Sequence, residues 1–102
     1  MQYCLYQNRE DTVKHPYLLD IQSNIIDILN TLLVIPLFDS RLAKKPLPTC
    51  LNPQLFSNGQ VFVLMTHQMA CVPHSLLGKE IVDLNYQQNT IKHAIDLLID
   101  GF

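Results

Sequence analysis

The sequence predicts a mostly β protein closed by one C-terminal α-helix, and three features carry that expectation. Short apolar runs with β-branched residues recur as far as Pro73, each bounded by polar, Pro- or Gly-containing stretches. Asn58-Gly59 stands between two such runs, the dipeptide favoured by tight primed hairpin turns. Residues 85–102, NYQQNTIKHAIDLLIDGF, instead repeat apolar side chains at three- and four-residue spacing, the period of one helix face.

Residues 2–7, QYCLYQ, alternate weakly, with Tyr3 and Leu5 on one side and Cys4 and Tyr6 on the other, as a strand does. The polar run 8–16 is a loop, and YLLDIQ at 17–22 is a second strand, so the two make a long hairpin. In residues 25–37 the first half could form a helical turn; Val34 and Ile35 assign 31–37 to a buried strand that ends near Pro36. Residues 38–53 hold Pro46, Pro48 and Pro53 and are an excursion, with room for a short strand at 49–52. A hairpin follows at 55–61, then a strand through VFVLMT. Another ends at Pro73, with Met69 and Cys71 facing one way and Ala70 and Val72 the other. Residues 78–84 read as a connector, giving six or seven strands before the helix.

In that helix Asn85 and Gln88 have capping-box spacing, and Ile91, Ala94, Ile95 and Leu98 share a face from which Lys92, His93 and Asp96 are absent. Leu97 and Ile99 flank the stripe, and Gly101 can end the helix. The last turn thus holds more apolar surface than one buried face uses, which points to a partner. It also holds Asp96, Asp100 and the carboxylate of Phe102 at the negative end of the helix dipole, where each exposed acid costs about 0.3 to 1 kcal/mol. Lys92 can pair with Asp96 one turn on, in the less favourable order. The alternative to that structural reading is that these acids, with Ile99 and Phe102, face a cationic, apolar groove on another protein.

Length and composition narrow the function. A chain of 102 residues supports one core and is expected to be one domain. It is 48% apolar and 16% charged, too apolar for a disordered chain. No apolar run is long enough for a membrane span and the first residues lack a secretory core, so a cytoplasmic protein is expected. Three widely spaced cysteines, Cys4, Cys50 and Cys71, read as reduced thiols, and a formal net charge of −2 gives no basic footprint for nucleic acid.

No catalytic or metal set emerges, and no cofactor is expected. His67, Cys71 and His74 lack a fourth ligand and a zinc-binding spacing. Cys71 could serve as a thiolate with His15, His67, His74 or His93 as base, but no adjacency selects one. Asp96 and Asp100 are one helical turn apart with no cleft implied, and three glycines form no phosphate loop. Arg41, Lys44 and Lys45 form a basic cluster, most simply a solvated loop; its functional reading is a landing site for an acidic, disordered peptide.

Along nearly its whole length the chain resembles the CcdB toxins of toxin-antitoxin modules. The resemblance rests on MQY at 1–3, DIQSNIID at 20–27, LVIPL at 33–37, LMTHQMACVP at 64–73, GKEIVDL at 78–84 and IKHAIDLLIDGF at 91–102. It implies an SH3-like barrel of the type seen in the MazF and Kid toxins, with a small β wing and a C-terminal helix, assembled as a homodimer. It further implies a toxin that binds the A subunit of DNA gyrase and traps the enzyme on cleaved DNA, without catalysis of its own. A CcdA-like antitoxin would neutralise it, and the pair together would bind operator DNA. Carried over by position, the gyrase-binding residues are Ile25, Ile26, Asp96, Ile99, Asp100, Gly101 and Phe102, and the basic cluster Arg41, Lys44 and Lys45 is the candidate antitoxin contact. In the F-plasmid type of the family the Asp100 position is a tryptophan important for toxicity; a carboxylate can pair with a target arginine but cannot stack on it. Two other readings remain open at this stage. One is a degenerate homologue that keeps only antitoxin binding and repression. The other is a MazF-like endoribonuclease, which the net charge disfavours.

Overall fold

A computed structural model describes residues 1–10, 16–24, 30–42 and 50–101. The strands are β1 (Cys4–Asn8), β2 (Tyr17–Asp20), β3 (Thr31–Asp39), β4 (Gln54–Ser57), β5 (Gln60–Leu64), β6 (Ala70–Pro73) and β7 (Leu77–Asp83), followed by α1 (Gln88–Asp100). Every pairing is antiparallel, in the order β4-β5-β3-β2-β1-β7, with β6 also on β3. The sheet curls into an SH3-like half-barrel, so that the Tyr17 ring of β2 meets Phe62 of β5 edge to face, centroids 5.2 Å apart. The expected mostly β fold with a terminal helix is the fold observed.

β3 organises the sheet because both of its edges and both of its faces are used. One edge pairs with β2; along the other, Leu37–Asp39 pair with β5 and Thr31–Val34 with β6. Between these two partners the chain leaves the ladder in a 3-10 turn over Thr66–Gln68. Pro36 lies at that departure: its carbonyl still accepts the Met65 N–H at 3.0 Å, and the donor it lacks falls where the partner strand turns away. The strand therefore runs through Pro36 to Asp39 instead of ending near the proline.

On one face Leu5, Leu19, Ile35, Leu37, Leu55, Phe62 and Leu64 form the main core, covered by Leu84, Ile91 and Ala94. On the other, Leu18, Leu32 and Val34 pack with Val72, Leu76 and Leu77. Tyr3 and Leu5, expected to share a side, are both in the main core, Tyr3 from the turn just before β1. The Asn58-Gly59 turn has both residues at positive φ, 50° and 78°, the primed hairpin geometry.

Three local expectations need correction. Residues 77–83 are a strand, not a connector. β7 pairs β1 with two register shifts and exposes Lys79, Glu80 and Ile81, so no clean apolar alternation marks it. Gly78 belongs there because a Cβ would come within 3.1 Å of the Gln7 carbonyl oxygen. Residues 50–52 form a turn, not a strand, and the buried Asn52 amide donates to the Leu64 carbonyl at 3.1 Å. Finally, Asn85 does not cap α1. Asp83 Oδ1 accepts its N–H at 2.8 Å, residues Asn85–Gln87 form a 3-10 turn, and the helix starts at Gln88 with no side-chain cap.

Candidate functional site: the helix tip and the Arg41 corner

α1 is most deeply buried in its first half. Ile91 and Ala94, in its first two turns, are fully buried; Ile95 and Leu97 are half-buried, and Leu98 and Ile99 are 40% and 69% exposed. Asp96 and Asp100 are exposed beside them, and among the described residues neither has an ion-pair partner, so the Lys92–Asp96 pair is not formed. Gly101 ends the helix in the left-handed conformation at φ 81°, its N–H donating to the Leu97 carbonyl at 3.0 Å. The result is a helix end that exposes two aliphatic side chains and two carboxylates. Asp96, Ile99, Asp100 and Gly101 come together on it; Ile25, Ile26 and Phe102 lie outside the described residues.

The root of the helix is held differently, by polar contacts to the edge of the sheet. Gln87 Oε1 accepts the Phe56 N–H at 3.0 Å, Gln87 Nε2 donates to the Phe56 carbonyl at 2.8 Å, and the Tyr86 hydroxyl donates to the same carbonyl. Phe56 faces Val61 across the β4–β5 hairpin, and the side-chain amide of Gln87 takes the place of a neighbouring strand. No sequence signal announces this contact, which spans 31 residues.

At the second candidate surface, Arg41 is not free. Its Nη2 lies 2.7 Å and its Nε 3.2 Å from Asp39 Oδ2, its backbone N–H donates to Asp39 Oδ1 at 2.9 Å, and Gln60 Nε2 also donates to Asp39. The forked face of the guanidinium is thus spent within the chain, leaving its remaining donors for a partner. Lys44 and Lys45 lie outside the described residues.

Hydrogen bonds from Arg41, followed by its positive charge, hold the Asp39 carboxyl at about 2, below its ordinary 3.8. A depressed carboxylate pKa contributes stability that is full above the ordinary value and lost as pH falls towards the folded one. Asp39→Asn is therefore expected to flatten the acid side of the stability profile between about pH 4 and pH 2, read as urea midpoints against pH. A wild-type slope in the variant would remove this assignment.

The remaining chemical candidates do not assemble. Among the described residues no three His, Cys, Asp or Glu side chains converge, so His67, Cys71 and His74 form no metal-binding group. His67 Nδ1 instead lies 3.4 Å from the Asn52 amide. Burial, with the Glu80 and Asp83 carboxylates nearby, pushes the Cys4 thiol up to about 11, the opposite of an activated nucleophile. Cys50 and Cys71 are exposed free thiols.

A curled antiparallel half-barrel with a single C-terminal helix is the architecture of an SH3-like barrel. A family model described as CcdB protein matches residues 2–101, nearly the whole chain. The chain belongs to the CcdB family of toxins.

Proposed function

We propose that the protein is the toxin of a type II toxin-antitoxin module and that, as a homodimer, it binds the A subunit of DNA gyrase and traps the gyrase–DNA cleavage complex. The observation that carries this reading is the exposed helix tip. Asp96, Ile99, Asp100 and Gly101 stand together at the family's gyrase-binding positions, and Ile99 leaves more than two thirds of its surface in water. Ile25, Ile26 and Phe102 complete the proposed surface. An apolar side chain on an exposed tip gains by burial in a partner, and the two acids, without an ion-pair partner among the described residues, select a cationic rim. The protein acts by binding, without catalysis, as one domain in the cytoplasm; no helix of the described residues is long and apolar enough to cross a membrane. A CcdA-like antitoxin neutralises it, contacting Arg41, Lys44 and Lys45, and operator DNA is bound only by the pair.

Asp100 favours a second reading, a homologue that still binds antitoxin and supports repression but spares gyrase, because a carboxylate stands at the family's tryptophan position. Expression in growing cells without antitoxin separates the two. Growth arrest relieved by a gyrase A variant resistant to such toxins is expected; undisturbed growth at confirmed expression contradicts the proposal and leaves the second reading.

A further inference from the structure

We infer that Gln87 is the positioning residue of the helix tip: by clamping the backbone of Phe56 it sets the direction in which α1 projects. The inference rests on the reading of that tip as the surface that meets gyrase.

α1 packs on the main core through the buried Ile91 and Ala94 and the half-buried Ile95, contacts that lie towards its first half and leave its direction to be set at the root. A 13-residue helix is about 20 Å long, so a tilt of about 10° at the root moves the last turn by about 3 Å. What lies at the root is therefore amplified at Ile99 and Asp100. Gln87 is the residue immediately before the first helical turn and provides no cap for it; its side chain reaches back to the sheet. Its amide both donates and accepts, and Phe56 offers one N–H and one C=O on the outer edge of β4, so the match fixes distance and angle together. Tyr86 adds a second donor to the same carbonyl from the preceding position. The hairpin β4–β5 that carries Phe56 is in turn built into the main core through Leu55 and Phe62. The clamp thus refers the helix direction to a rigid part of the sheet.

Gln87→Glu and Gln87→Met test the role, because both keep the length of the side chain. Ionised, the carboxylate of Gln87→Glu accepts from the Phe56 N–H but opposes the Phe56 carbonyl. Protonated, it donates and accepts as the amide does. The methionine does neither at any pH. The readout is the set of residual dipolar couplings of the α1 amides relative to those of β1, β2 and β3, together with affinity for a gyrase A fragment at neutral pH.

At neutral pH both variants are expected to show reoriented α1 couplings and about tenfold weaker gyrase binding, with a melting curve close to wild type. Below about pH 4, where a carboxyl protonates, Gln87→Glu alone is expected to recover the wild-type couplings. Wild type and Gln87→Met measured at each pH remove the contribution of every other acidic group. Wild-type couplings in both variants at neutral pH overturn the inference, as does unchanged gyrase affinity in the face of altered couplings. If wild type itself does not bind gyrase, the gyrase reading falls, while the couplings still decide whether Gln87 orients the helix.

Discussion

Truncating Phe62 to alanine is expected to lower the free energy of unfolding by about 3 to 5 kcal/mol, the range for deleting a buried aromatic ring. Phe62 is only 2% exposed, packs in the main core, and meets the Tyr17 ring edge to face at 5.2 Å. The two rings meet across β3, which pairs with β2 on one edge and β5 on the other. The main core to which it belongs draws on β1, β2, β3, β4 and α1, so filling the space left behind would require several elements to move together. Urea unfolding followed by circular dichroism gives the value. A loss below about 1 kcal/mol would contradict the placement of this ring in a tightly packed core.

Replacing Ile99 with lysine is expected to do the reverse, leaving stability within about 0.5 kcal/mol of wild type, as for surface substitutions in general. The side chain is 69% exposed, makes no part of either core cluster, and a cation near a helix C-terminus is favourable. The proposed encounter with gyrase should nevertheless weaken by about 30-fold or more, the effect of a binding hot spot worth about 2 kcal/mol. A lysine there loses apolar burial and presents like charge to a cationic groove. Equal gyrase inhibition by wild type and Ile99→Lys would move the target surface elsewhere on the molecule.

The contrast between these substitutions also marks what was legible before the structure. The β-rich body, the Asn58-Gly59 turn and the amphipathic helix could be read because each depends on local chemistry or on a period. Tyr3 and Leu5 were grouped on one side by alternation, and both lie in the main core, although Tyr3 precedes the strand at φ 65°. β7 was hidden because an edge strand with register shifts exposes most of its side chains and needs no apolar alternation. The cap at Asn85 failed because Asp83, two residues earlier, captures its N–H and starts a 3-10 turn first. Pro36 misled as a terminator because a proline interrupts a strand only where the missing donor would have had a partner.

At the candidate site, the tip was legible as an apolar surplus, and its acids as misplaced charges on the helix dipole. Two features were not. Asp39 occupies much of Arg41, and Gln60, which donates to the same carboxylate, is brought to it by the pairing of β3 with the hairpin. Gln87 reads as one more polar residue near a helix start until the edge of β4 is set beside it. Both are long-range or non-periodic side-chain contacts, for which a single sequence carries no signal.

The central claim is that this tip poisons gyrase, and the most direct measurement is accumulation of cleaved DNA by purified gyrase in the presence of the purified protein. Linearised plasmid that increases with the concentration of wild-type protein, and that is absent with Ile99→Lys at the same concentrations, is the predicted result. Unchanged supercoiling and no cleaved DNA from a folded wild-type preparation would contradict it.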